Sequence, residues 1–193
     1  MKKILALLLA VSMVFALAAC GNNDGAKKED AKKEDAPTGV KMNLETLPTS
    51  GIDYVLKTEF YYPENSGITV EYNETDCIAL ADEGDEYIMM LKIAEDEDYE
   101  YTRDWAIESY GEEAIKDVKL GELDAYMYCG LDSYNLCALL EKDATEEGHR
   151  YVTIEIGTPC ESEEEIVKFV NDNTEIQHIL KSFKYIGEEK KAE

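Results

Sequence analysis

The chain has 193 residues, with 43 Asp and Glu against 19 Lys and Arg, a formal net charge of −24 at pH 7. So acidic a surface repels nucleic-acid phosphate and is not held to anionic lipid by charge. DNA and RNA drop out as partners, and cationic ligands or divalent metal remain. The length suits one domain with a real core.

Met1-Lys2-Lys3 opens the chain, and an apolar run from Ile4 to Ala19 follows, broken only by Ser12. A positive start, an apolar middle and small residues at the end predict an export signal. The run is shorter than the roughly 20 residues that a membrane-spanning helix needs. Leu17-Ala18-Ala19-Cys20-Gly21 resembles the lipobox of bacterial lipoproteins. That resemblance implies a diacylglyceryl group on the Cys20 sulfur and cleavage between Ala19 and Cys20. The plainer alternatives are an ordinary secretory signal, or a retained membrane helix with Cys20 there by chance. Two acyl chains make a stable anchor, at about 0.8 kcal/mol per buried CH₂. The protein is therefore expected on the extracytoplasmic face of the cell membrane, held by lipid. Loss of residues 1–19 removes Lys2 and Lys3 and no acid, leaving 17 basic against 43 acidic residues and a net charge of −26.

Residues 20–41 read as the lipidated cysteine and a flexible linker. They carry almost no large apolar side chain, so burial cannot offset the entropy of ordering them. Ala26-Lys27-Lys28-Glu29-Asp30 repeats at once as Ala31-Lys32-Lys33-Glu34-Asp35. As a coil, this stretch places its ends roughly 25 Å apart, enough to stand a domain off the lipid headgroups.

Residues 42–187 read as one globular domain, with 188–193 as a disordered tail. Strand patterns occur at 54–60, 67–72, 86–94, 114–120, 123–130, 134–142 and 149–157. Ile68, Val70 and Tyr72 alternate to one face, as do Val152, Ile154 and Ile156. Tyr87-Ile88-Met89-Met90-Leu91 is apolar on both faces, which predicts a central strand. Gly121-Glu122 and Gly130-Leu131-Asp132-Ser133 read as hairpin turns, so 114–142 reads as a meander. A first helix is expected over 102–110, with Thr102 as N-cap, Trp105, Ala106 and Tyr110 toward the core, and Gly111 as its end. Ser162-Glu163-Glu164-Glu165 forms a capping box ahead of the stripe Ile166, Val167, Phe169, Val170. Thr174-Glu175-Ile176-Gln177 reads as a second box, before the helical stripe Ile176, Ile179, Leu180, Phe183. The whole predicts an α+β fold, a largely antiparallel sheet flanked by helices.

Three segments resemble the PsbP-like family, which includes thylakoid extrinsic proteins of photosystem II and many small bacterial lipoproteins. Tyr61-Tyr62-Pro63-Glu64-Asn65-Ser66-Gly67-Ile68 is similar to its early turn into the second strand. Val118-Lys119-Leu120-Gly121-Glu122-Leu123-Asp124-Ala125 resembles its hairpin, with Glu122 where the pattern has a second glycine. Ile179-Leu180-Lys181-Ser182-Phe183-Lys184 resembles its closing helix. The resemblance implies a PsbP-like α/β/α sandwich and a non-enzymatic accessory or binding domain. It transfers no catalytic residue.

Candidate chemistry is sparse. Cys77, Cys129, Cys137 and Cys160 pair in three ways if oxidised; Cys129 and Cys137, across a turn, are the candidate disulfide, against small buried thiols as the plain reading. No C-x₂-C pair exists for zinc. His149 opens a strand, and with Cys137 it is the one candidate nucleophile pair, the basis of an alternative reading as a small cell-envelope hydrolase. His178 lies opposite its helix's apolar stripe and is expected in solvent. Asp82, Glu83, Asp85 and Glu86 precede the strand at 86–94, and Glu95, Asp96 and Asp98 follow it. Adjacent carboxylates of this kind hold Ca²⁺ weakly, although neither run has the EF-hand order. Their places at opposite ends of one strand forbid a shared ion. Tyr99, Tyr101 and Tyr110 cluster near the first helix, and Tyr126 and Tyr128 share a strand face. Aromatic rings beside acids suit a cationic peptide or a sugar, against the plainer role of packing.

The expected function is thus a membrane-anchored extracytoplasmic lipoprotein with a non-catalytic binding or accessory domain, engaging an envelope protein or a cationic ligand. A Ca²⁺-binding module is the alternative. Cys20→Ala should block lipidation and signal cleavage in the producing cell, as read by mass and by membrane fractionation. Release of a normally processed, unlipidated protein would show the signal to be an ordinary one.

Overall fold

The computed structural model describes residues 38–47, 53–84 and 86–190. Ala19, Cys20, the tandem repeat and Asp85 lie outside the described residues. Strands β1 (Val40–Glu45), β2 (Tyr54–Tyr62), β3 (Ile68–Asn73), β4 (Cys77–Asp82) and β5 (Ile88–Asp96) come first. Helix α1 (Asp98–Tyr110) and a 3₁₀ turn lead to β6 (Lys116–Leu120), β7 (Leu123–Cys129), β8 (Ser133–Leu139) and β9 (His149–Gly157). Helices α2 (Glu163–Asp172) and α3 (Thr174–Ser182) and strand β10 (Lys184–Lys190) complete the order.

All strand pairs are antiparallel, and they form two sheets. The large sheet has seven strands in the order β3-β4-β5-β9-β8-β7-β6; the small one is β1-β2-β10. The fold is therefore α+β, with the expected antiparallel character. The meander is present: β6, β7, β8 and β9 are consecutive neighbours. Gly121 makes its first turn with φ +56°, and a side chain there would strike the Phe183 carbonyl at 2.0 Å. Its N–H donates to the Leu180 carbonyl at 2.8 Å, so the hairpin tip docks on the end of α3. Only glycine meets both demands.

One face of the large sheet carries Ile78, Leu80, Met89, Leu91, Leu136 and Ile154 into the main core. Helices α2 and α3 and the small sheet cover it, with Leu56, Phe60, Ile166, Val170, Ile179 and Phe183. The Ser162 box forms as expected: Ser162 Oγ donates to the Glu165 carboxylate and accepts from the Glu165 N–H. The second helix is capped one residue earlier than expected. Asn173 Oδ1 accepts from the N–H of Glu175 and Ile176, because Asn reaches two donors that Thr174, inside the helix, does not.

Several expectations are corrected. The linker ends before Val40, since Val40 and Lys41 already pair with β2. Residues 188–190, read as tail, form the end of β10 against Leu56, Val55 and Tyr54. A charged strand pairs there because its backbone finds a partner in β2 and its carboxylates find cations, Glu188 at Arg150 and Glu189 at Lys57. A bulge between Val70 and Tyr72 turns Tyr72 away from the face that Ile68 and Val70 share. Helix α1 begins a turn earlier than expected. Thr102 lies inside it and donates back to the Asp98 carbonyl, while Asp96 Oδ1 accepts from the Asp98 N–H. Strand β5 is internal, as its sequence predicts, but Ile88 and Met90 are 57% and 46% exposed on its second face.

One charge sits within the core. Arg150 is 5% exposed, and it is the sole buried charged residue among the described residues. Its guanidinium donates to Glu95 (2.7 Å), Glu141 (2.8 Å) and Glu188 (2.6 Å) and stands 5.0 Å over the Tyr54 ring. Tyr54 and Thr145 hydroxyls also donate to Glu95, and the Tyr185 hydroxyl donates to Glu141. Burial opposes the charge, but the hydrogen bonds to Glu95, Tyr54 and Glu188 outweigh it and hold Arg150 above its ordinary pKa. The hub joins β5 and β9 of the large sheet to β2 and β10 of the small one. Arg150→Leu would strand Glu95, whose side chain is 6% exposed, and should cost about 3–5 kcal/mol in urea unfolding. Arg150→Met with Glu95→Leu should recover most of that loss. A single variant within about 1 kcal/mol of wild type would remove the hub's structural role.

Candidate functional site

The second face of the large sheet is half covered. Helix α1 connects β5 to the far edge strand β6, so it crosses this face once. Beneath it lie Ala106, Tyr126, Tyr128, Cys137 and Tyr151, a second and smaller apolar cluster. The rest of the face stays open, and pairing register shows what it presents. One row across the strands is Met90, Glu155, Asn135 and Tyr128. The next is Lys92, Thr153, Cys137 and Tyr126.

These two rows, Tyr126 excepted, floor a cleft of about 280 Å³, with Thr102 of α1 as its wall. The side chains of Lys92, Thr153 and Glu155 make no hydrogen bond or ion pair among the described residues. Asn135 Nδ2 donates to Ser133 Oγ at 3.0 Å, which leaves its carbonyl oxygen open. Aromatic rings close one end. Tyr110 stacks on Tyr128 with centroids 5.5 Å apart, and Trp105 meets both rings edge-on. Trp105 and Tyr110 are 43% and 37% exposed, so only Ala106 of the three expected core residues of α1 is buried.

The acidic runs sit where the spacing places them, at opposite ends of β5. Asp82 Oδ2 accepts from the Gly84 N–H and shapes the β4–β5 turn beside Glu83 and Glu86. At the other end Glu95 faces the main core and belongs to the Arg150 hub. Asp96, on the other face, accepts from the Tyr151 hydroxyl at 2.8 Å, and Asp98 starts α1. Neighbouring carboxylates thus point to opposite faces of one strand. Among the described residues no three His, Cys, Asp or Glu side chains gather around a metal-sized space.

The Cys129–Cys137 disulfide is corrected. Cys129 lies opposite Tyr134, and Cys137 lies opposite Tyr126. Their offset is odd, so their side chains leave opposite faces of the sheet. Cys129 packs on the main core and Cys137 on the cluster under α1. All four described cysteines are free. Burial pushes the Cys137 thiol up to about 12; burial and then the Glu163 charge push Cys129 up to about 11.

Cys137 and His149 are not brought together either. Cys137 stands opposite Thr153, and His149 is four residues back along β9, about 13 Å away with Tyr151 between them. The His149 ring instead tilts against Tyr99 at 5.2 Å, and its Nε2 lies 3.4 Å from Glu100. His178 is half-exposed rather than free in solvent, with Nε2 2.7 Å from the Thr38 carbonyl. Of the tyrosines, Tyr99 packs from α1 onto Tyr126 and Tyr151, Tyr101 is 70% exposed, and Tyr126 and Tyr128 do share a face.

Lys92, Asn135, Thr153 and Glu155 were not singled out by the sequence. A signal existed: each is the polar member of an alternating strand. It is a weak one, because every solvated strand face looks the same. The fold and the cleft together define a two-sheet α+β domain with a partly polar cleft beside α1. No family model matches this chain, and no curated protein matches it. Among solved structures it is similar to a crystal structure from Bacteroides thetaiotaomicron VPI-5482, at 11% identity and a TM-score of 0.36. The match covers 76% of this chain and 48% of that one, so the chain spans about half its length.

Thiol chemistry checks the placement of the cysteines. At pH 8 a thiol with a pKa of about 12 is ionised to about one part in ten thousand. Cys137 should resist Ellman's reagent in the native protein and react fully in urea. Rapid native labelling, or a Cys129–Cys137 peptide after mild oxidation, would contradict the register.

Proposed function

We propose that this chain is a lipid-anchored extracytoplasmic protein whose domain binds a small ligand in the cleft beside α1 and performs no catalysis on it. The observation that carries the binding reading is the meeting of Lys92, Thr153 and Glu155 in one cleft, none with a side-chain hydrogen bond or ion pair among the described residues. Polar groups that converge on a concave, half-apolar surface and are left unpaired fit a ligand that completes them. The anchor rests on the Leu17–Cys20 run, as does the extracytoplasmic location. No helix among the described residues is long and apolar enough to cross a membrane. Helices on both faces of the large sheet support the resemblance to PsbP-like domains. The buried, un-ionised Cys137, far from His149, supports a role without a thiol nucleophile.

The cleft is tested by filling it. Thr153→Phe projects a ring into the space and leaves the main core untouched. Protein purified from its native envelope should release a small molecule on denaturation, detected by mass spectrometry. The Thr153→Phe variant, with unchanged circular dichroism, should release none of it. Identical extracts from the two proteins would sink the binding reading.

A further inference from the structure

We infer that the ligand of this cleft is an uncharged saccharide; the inference rests on the binding reading above. Charge narrows the choice first. Lys92 and Glu155 bring an ammonium and a carboxylate to adjacent rows, so a singly charged ligand drawn to one is repelled by the other. The net charge of −24 adds a further penalty for anions. A neutral ligand with many hydroxyls meets neither penalty. Each hydroxyl both donates and accepts, and the cleft offers both partners: Lys92 donates, Glu155 and the Asn135 carbonyl accept, and Thr153 does either.

The aromatic end fits the same chemistry. A pyranose has a C–H face as well as a hydroxyl rim, and C–H faces pack on aromatic rings. Tyr128 lines the cleft, and the half-exposed Trp105 and Tyr110 extend that aromatic surface to solvent. Size agrees too. At about 280 Å³ the cleft lies at the small end of ligand sites, which suits a sugar ring better than a peptide segment.

Trp105 is the only tryptophan in the chain and packs against Tyr128, so its emission reports on the cleft directly. The full-length lipoprotein in detergent is titrated with glucose, galactose, N-acetylglucosamine and their disaccharides. Glucosamine and glucuronate serve as cationic and anionic counterparts, and a lysine tripeptide as a non-sugar. Calorimetry in parallel detects binding that leaves Trp105 unmoved. The expected result is saturable binding of at least one neutral sugar, with the charged counterparts at least about tenfold weaker. Thr153→Phe should abolish it, and Ile88→Ser, on the same face outside the cleft, should preserve it. Binding of the tripeptide or of a charged sugar in preference to all neutral ones overturns the saccharide inference and leaves the binding reading intact. Silence with every neutral sugar overturns it as well, while loss of the released molecule in Thr153→Phe would still uphold the binding reading.

Discussion

Arg150 is a charge held almost out of water, and the arrangement of the two sheets follows from how that charge is satisfied. A guanidinium has five N–H donors in a fixed plane, and leaving them unpaired in a core costs several kcal/mol. Here each of the three nitrogens donates to a carboxylate: Glu95 on the neighbouring strand, Glu141 after β8 and Glu188 on β10. Those carboxylates come from both sheets, so the small sheet is tied in one orientation over the large one. Apolar contact between Leu56 or Phe60 and the large sheet supplies more burial, but it tolerates sliding. The planar, directional bonds of Arg150 do not.

The other face of the large sheet has no such hub, and its geometry comes from connectivity. Strand β5 must reach the far edge at β6, and α1 with the short 3₁₀ turn after it makes that connection. One helix cannot cover a seven-stranded face. It buries Tyr126, Cys137 and Tyr151 and leaves Met90, Lys92, Thr153 and Glu155 beside it. The cleft is the step between the covered and the open part of the sheet. Its aromatic end arises because Trp105 and Tyr110 fall at the margin of α1's contact with Tyr128.

Much of the fold was legible in the chain, and the reason is local physics. The box at Ser162, the turn at Gly121 and the alternation of Val152, Ile154 and Ile156 each depend on a few neighbouring residues. Of the strands missed, β1 and β10 are charged and become strands by pairing, while β4 is an apolar run, Cys77–Asp82, too short and too free of alternation to declare itself. The hub was half legible. Arg150 has the same parity as Val152 and Ile154, and Glu95 the same parity as Leu91 and Ile93, so both charges stand on core-facing positions. That each answers the other depends on the β5–β9 register.

The candidate site divides along the same line. The run ending in Cys20 carries its own case for a lipid anchor, because an export signal is read as a linear string. Helix caps, strand periods and the α+β class are likewise properties of the chain read in order. Only the tertiary structure parted Cys129 from Cys137, separated Cys137 from His149 and gathered Lys92, Thr153 and Glu155 into one cleft. Alternation along a strand states which residues share a face. It does not state which strand lies alongside or in what register, and that is decided by burial and pairing across the whole domain.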